Sequence, residues 1–94
     1  MIAFYTKFKT SEENRQKLAD ILSRASHGIG TIPSCTMYDV ALDVSDSTIV
    51  SVVEIWTDEA AHAASLQDNA VKAMISEAIP LMTTQPDQRK FTVV

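Results

Sequence analysis

The side chains of this sequence that are best suited to chemistry on a small molecule lie close together, between residues 54 and 65. His62 titrates near neutral pH, which suits a general base. Ser65 follows three residues later and would share a face with His62 on a helix. Glu54 and Trp56 alternate on the preceding strand, so they share one face of a sheet. His62 is therefore the strongest candidate for a general base.

Each of these residues also has a purely structural interpretation. Trp56 is typical of a protein core, and His62 could lie at the edge of a polar pocket or face solvent. A carboxylate on the face that Glu54 occupies either pairs with a cation or has a raised pKa. An ion pair between subunits, with Arg89 as the most attractive partner, is therefore an alternative to catalysis for Glu54.

The two tyrosines are further candidates. Tyr5 and Tyr38 lie on predicted strands, where each could donate a hydrogen bond to a substrate oxygen, although buried structural tyrosines are commoner. The predicted catalytic set is His62, Trp56 and Tyr38, and the predicted substrate-binding set is Tyr5, Ser65, Met74 and Glu54. The two histidines lack the close Cys/His spacing typical of zinc sites, so no metal ligand set is predicted.

The elements that would position these residues follow from hydrophobic periodicity and capping signals. Thr10 is the predicted N-cap of the first helix, with Glu13 completing a capping box, and Gly28 is its predicted C′ residue. Pro80 predicts a kink or an early end in the last helix. The predicted strands span 2–8, 34–43, 48–57 and 88–94, with helices after Thr10, from Asp58 and from Asp68–Asn69.

This order is β-α-β-β-α-β, counting the two short helices as one connection. It predicts an α+β, ferredoxin-like fold in which an antiparallel sheet carries its helices on one face. Strand 48–57 is largely apolar on both alternating faces, whereas a sheet face exposed to water should be polar. We therefore expect a second copy of the chain to cover the other face, which makes a homodimer.

Composition narrows the class of protein. The chain has 94 residues, enough for one domain covering residues 1–94, and a net charge of -4 with scattered Lys and Arg. These features argue against nucleic acid and anionic membranes as partners. With one cysteine, Cys35, and no apolar run of membrane-spanning length, the expected location is the cytoplasm.

Several of these residues, in order, resemble the antibiotic biosynthesis monooxygenase family, whose members are small dimeric α+β barrels. The shared features are Cys35 and Tyr38 on the second strand, the Glu54-x-Trp56-x-Asp58 corner, Ala78-x-Pro80-Leu81, and Arg89 with Val93 on the last strand. The resemblance implies oxygenation of a phenol, quinol or anthrone without metal or flavin. It also implies an apolar cavity between sheet and helices, lined by Trp56, His62, Ser65, Tyr5, Tyr38 and Met74.

The sequence also departs from the family pattern. Many members have a histidine nine residues beyond the motif Trp, where this chain has Ser65, and a second histidine where it has Ala70. The haem-degrading relatives have an Asn on the first strand, which residues 2–8 lack. Given the resemblance, we expect His62 to replace the family base from one turn away, either as the base or as the donor that orients oxygen.

The leading interpretation is thus a cofactor-independent monooxygenase acting on an aromatic phenol, quinol or polyketide-like molecule. One alternative is a non-catalytic binding or structural dimer that has lost the family histidines. The other is a cofactor-free isomerase or cyclase, which would use a base without oxygen.

Overall fold

The computed structural model describes all 94 residues and contains four strands and three α-helices. In chain order the elements are β1 (Ile2–Lys9), α1 (Arg15–Ile29), β2 (Cys35–Leu42), β3 (Ile49–Trp56), α2 (Glu59–Ser65), α3 (Asn69–Ala78) and β4 (Asp87–Thr92). Two 3₁₀ turns, Glu12–Asn14 and Ile79–Leu81, precede α1 and follow α3. None of the helices has both the length and the apolar character needed to cross a membrane.

The four strands form one antiparallel sheet in the order β2-β3-β1-β4. This is the ferredoxin-like topology predicted from the sequence, with the two central strands provided by β1 and β3. The helices cover one face, which we call the helix face, and the opposite side is the open face. Because side chains alternate along a strand, every other residue of β3 points to each face.

The register shows which residues share each face. Phe4 pairs with Glu54 between β1 and β3, and both are buried on the helix face. The next residue, Tyr5, pairs with Val53 on one side and with Arg89 of β4 on the other. These three residues therefore lie on the open face.

The core consists of two apolar clusters between the helix face and the helices. Leu18 and Leu22 of α1 pack on Val50 and Val52 of β3 in the first cluster. The second cluster joins Phe4, Ile29, Cys35, Trp56 and Val71. Phe4 and Trp56 are almost completely buried, and truncation of such a side chain to alanine typically costs about 3–5 kcal/mol.

The start and end of α1 differ from the prediction. Thr10 does not cap the helix, because it forms a β-bridge with Met82 and its hydroxyl donates to the Leu81 carbonyl. A 3₁₀ turn intervenes, so α1 begins at Arg15. Gly28 lies inside the helix and Gly30 caps it with right-handed dihedral angles, so no left-handed C′ glycine is needed.

The two short helices have the N-caps that the sequence indicates. The Asp58 carboxylate accepts from the Ala61 amide at 2.7 Å, so α2 begins directly after β3. The Asp68 carboxylate accepts from the amides of Ala70 and Val71 at the start of α3. Capping of this kind supplies partners for amides that the first helical turn leaves free.

Candidate functional site

An open groove of about 880 Å³ lies between the helix face and the helices. Its size is within the range of small-molecule sites. Hydrophobic side chains make up 12 of its 21 lining residues. The polar side chains of its wall include Thr6, Glu54, His62, Ser65, Thr83, Thr84, Gln85 and Gln88.

His62 lines this groove as predicted and is 8% exposed. Its ring stacks on Phe4 with centroids 3.8 Å apart and meets Trp56 edge-on at 5.6 Å. Burial lowers the pKa of His62, an effect that Glu59 partly opposes and Lys90 reinforces. The imidazole is therefore held in its neutral form at neutral pH and can accept a proton.

Glu54 lies beside His62 on the neighbouring strand. Its Oε1 accepts a hydrogen bond from Trp56 Nε1 at 3.2 Å and lies 3.9 Å from His62 Nε2. The second distance is too long for a direct hydrogen bond but short enough for strong electrostatic interaction. Burial raises the pKa of Glu54, while the Trp56 hydrogen bond lowers it to a smaller extent. Burial thus favours the neutral form of both Glu54 and His62.

Glu54 and Arg89 do not pair within one chain, so the predicted ion pair between subunits stays a prediction. Arg89 pairs with Tyr5 in the sheet and lies on the open face, whereas Glu54 points to the helix face. Alternation of side chains along the strands separates the two residues within one chain.

Trp56 contacts His62 and Glu54 from within the core and does not line the groove. Its side chain is fully buried, so in this conformation it does not line the cavity as predicted. Its indole N–H instead fixes the orientation of the Glu54 carboxyl.

Tyr38 lines the groove, but its hydroxyl is already engaged. The hydroxyl donates to the Leu22 carbonyl of α1 at 3.1 Å. Burial and the nearby Glu54 both raise the pKa of Tyr38. The ring therefore shapes the wall, and the phenol stays protonated rather than acting as a base.

Ser65 and Met74 also line the groove, as predicted. The Ser65 hydroxyl donates to the backbone carbonyl of His62 at 2.6 Å, a bond that holds the last turn of α2. Met74 packs against both apolar clusters and gives the groove an adaptable wall.

The prediction that Tyr5 lines the cavity is wrong, because Tyr5 points to the open face. Its hydroxyl lies 3.5 Å from Ser51 Oγ, and its neighbours across the strands are Val53 and Arg89. The sheet separates it from His62.

The sequence interpretation missed the polar pair Thr6 and Gln88 in the groove wall. Gln88 Nε2 donates to Thr6 Oγ1 at 3.1 Å across β1 and β4. The alternation that places Phe4 on the helix face also places Thr6 there, so this signal was present in the sequence. No three His, Cys, Asp or Glu side chains come together in a way that could hold a metal ion.

The arrangement can bind an apolar molecule and remove a proton from it. A neutral imidazole is the base, and a neighbouring carboxyl can stabilise the imidazolium that forms. The mostly hydrophobic wall strengthens electrostatic interactions with bound groups, since little water competes there.

Solved structures with the same fold are numerous. The chain is similar to a candidate antibiotic biosynthesis monooxygenase of Chloroflexus aurantiacus, with 26% identity over 99% of this chain and 92% of that chain and a TM-score of 0.85. A candidate antibiotic biosynthesis monooxygenase of Nitrosomonas europaea reaches a TM-score of 0.93 over 100% and 99% of the two chains. At 10% identity, that second likeness concerns the fold alone.

No curated protein matches the sequence at a significant level. The profile of the antibiotic biosynthesis monooxygenase family matches residues 1–77, which include β1 to β3, α1, α2 and most of α3. The matched part contains the groove residues Glu54 and His62. The chain therefore belongs to the antibiotic biosynthesis monooxygenase family.

Proposed function

We propose that this protein is a cofactor-independent monooxygenase that oxidises an aromatic phenol, quinol or polyketide-like small molecule. One observation carries the proposal: a buried histidine, His62, lies in an apolar groove within 3.9 Å of a buried carboxyl, Glu54. Family membership supports monooxygenase chemistry in general, and this pair supplies the base that such chemistry needs.

The reaction begins with proton transfer from the substrate hydroxyl or enol to His62. The resulting anion is electron-rich and can reduce dioxygen directly, and a carbon–oxygen bond then forms to give a peroxide. The O–O bond breaks, and one oxygen atom leaves as water while the other remains as a carbonyl. For an anthrone the balance is R₂CH₂ + O₂ → R₂C=O + H₂O, so the substrate itself supplies the electrons.

The neighbouring residues have distinct roles in this scheme. Glu54 stabilises the imidazolium after proton transfer, and Trp56 positions the Glu54 carboxyl through its indole N–H. Tyr38 and Met74 shape the apolar wall against the substrate ring. Ser65 supports the backbone that presents His62. Proton transfer by a positioned side chain typically contributes about 10²–10⁴-fold to the rate.

Oxygen consumption by purified, metal-stripped protein tests the proposal. A panel of anthrones and naphthohydroquinols should reveal enzyme-dependent uptake, and His62→Ala should lower that rate by about a hundredfold or more. His27→Ala is the matched control, because His27 is exposed near the end of α1 and away from the groove. Uptake that survives in His62→Ala would contradict the role of His62.

A non-catalytic binding dimer is the second candidate function. It is favoured by Ser65, which occupies the position of the usual family histidine and is engaged in a backbone hydrogen bond. Tight binding of an aromatic ligand without oxygen uptake or product would support it. Product formation without oxygen would instead indicate a cofactor-free isomerase or cyclase.

We further propose that the chain acts as a homodimer in the cytoplasm. The open face carries half-buried Val53 and Ile55 and a 53% exposed Phe91, so pairing of two such faces would remove apolar surface from water. The free, buried thiol of Cys35 is consistent with a reducing compartment. The expected mass in solution is twice the chain mass of 10.3 kDa.

A further inference from the structure

The charges of the groove wall restrict which aromatic molecules it can take. Glu54 and His62 are the ionisable side chains of the acid–base pair, and Glu54 is a carboxyl group that is itself 8% exposed. The remaining polar side chains are neutral: the hydroxyls of Thr6, Ser65, Thr83 and Thr84 and the amides of Gln85 and Gln88.

A ligand with a carboxylate would face two penalties in this groove. Its charge would leave water for a wall made mainly of hydrophobic side chains, which has no lysine or arginine and in which burial favours the neutral form of His62. The charge would also be repelled by Glu54 whenever that group is ionised. Neutral hydroxyl or carbonyl substituents avoid both penalties, because the hydroxyls and amides of the wall can hydrogen-bond to them.

The side-chain amides of Gln85 and Gln88 lie where they could hydrogen-bond to a second substituent of the ligand. Gln88 belongs to β4 and is exposed to solvent. Its side-chain amide nevertheless donates a hydrogen bond to Thr6 in the groove wall. Gln85 precedes that strand in the segment that forms the groove edge. Both residues follow residues 1–77, the part of the chain that matches the family profile.

We propose that the groove selects uncharged aromatic phenols or quinols and rejects their carboxylated counterparts. This inference rests on the proposed function, since it specifies the substrate class of the same site. The groove would accept neutral polycyclic phenols and would reject free acids and acyl conjugates that bear negative charge.

Calorimetric titration at about pH 8 with three probes tests the inference. The probes are 2-naphthol, 6-hydroxy-2-naphthoate and the methyl ester of that acid. The ester controls for size, because it is larger than the acid yet neutral. We expect 2-naphthol and the ester to bind, and the carboxylate to bind at least about tenfold more weakly than the ester.

Variants locate the origin of this selectivity. Gln88→Lys places a cation at the groove wall and should recover most of the affinity for the carboxylate. Gln88→Met controls for loss of the amide, and Gln67→Lys adds the same charge at an exposed site outside the groove. Neither control should recover that affinity.

The outcomes separate this inference from the proposed function. A carboxylate that binds the parent protein as tightly as the ester overturns the inference and leaves the monooxygenase proposal standing. Selective binding of the neutral probes without oxygen uptake on any quinol supports the inference and counts against the monooxygenase. Failure of all three probes to bind contradicts an aromatic groove and therefore both proposals.

Discussion

The two faces of the sheet use the same strands for different purposes. On the helix face, β3 presents Val50, Val52, Glu54 and Trp56, all of them buried. On the open face, the alternate residues Val53 and Ile55 are only half-buried in the single chain. One face thus encloses a carboxyl in an apolar setting, and the other leaves apolar groups partly in contact with water.

This difference shows where chemistry and where association can arise in a small domain. Removal from water is the largest cause of the altered pKa values of Glu54 and His62, which both lie on the helix side of the sheet. Apolar groups contribute to association only where they start out exposed, which holds for Phe91 on the open face. The predictions below test that division.

The largest effect should come from moving the base along the helix face. The double variant His62→Ala with Ser65→His restores a histidine at the position common in the family, one turn from the original. We expect the double variant to be at least about tenfold more active than His62→Ala, because both positions line the same groove. Oxygen uptake with the best quinol measures the recovery. Equal inactivity of the single and double variants, with both folded by circular dichroism, would show that the groove demands the original geometry.

The open face should be the site of dimerisation. Val53→Asp places a charge at its centre and should shift the protein to monomer, since burying an unpaired carboxylate costs several kcal/mol. Light scattering after size exclusion gives the mass. Val44→Asp is the control, because Val44 is fully exposed in the loop between β2 and β3. A Val53→Asp protein that remains at twice the chain mass would refute an interface on this face.

The two tyrosines allow a direct comparison of the faces. Tyr38→Phe leaves the Leu22 carbonyl without its partner and should lower the free energy of unfolding by about 1–2 kcal/mol. Tyr5→Phe removes only a 3.5 Å contact to Ser51 and should cost a few tenths of a kcal/mol. Urea denaturation measures both. Comparable losses in the two variants would mean that the open face is ordered as tightly as the helix face.

The smallest effect concerns the pH dependence of stability. Burial raises the pKa of Glu54 above its ordinary value of 4.5. The folded protein therefore loses stability as pH rises through the raised pKa, because the buried carboxyl then ionises. Glu54→Gln stays neutral, and its stability relative to the parent should therefore increase as pH rises above about 4.5.

The matched control for this effect is Glu77→Gln. Glu77 forms an exposed ion pair with Arg24, and its loss should change stability by a few tenths of a kcal/mol. Denaturation curves of both variants at several pH values provide the comparison. A stability difference for Glu54→Gln that falls as pH rises would contradict the raised pKa of Glu54.

The topology could be predicted because its signals are local. Alternation identified the strands, and Asp58 and Asp68 marked the helix starts that the structure confirms. The boundaries of α1 were missed because long-range contacts decide them. Thr10 has the residue type of an N-cap, yet its hydroxyl is engaged by Leu81, 71 residues away.

The site was predicted in part for the same reason. The spacing of His62 and Ser65 predicted a shared helix face, and the family resemblance implied that this face lines the cavity; both residues line the groove. Tyr5 was misplaced, because assigning a strand residue to a face requires the register and direction of its neighbours. Trp56 has the right face, but packing against His62 and the hydrogen bond to Glu54 bury it completely. The burial of Trp56 behind His62 and Glu54 becomes visible only once the sheet and helices are assembled.

Single-turnover reaction of the metal-stripped protein under ¹⁸O₂ tests the central claim most directly, with an anthrone as substrate and mass spectrometry of the product as readout. The account predicts one ¹⁸O atom in the product carbonyl and the other in water, with formation of labelled product largely lost in His62→Ala. A product that forms without label, or that forms equally well without oxygen, would contradict a monooxygenase.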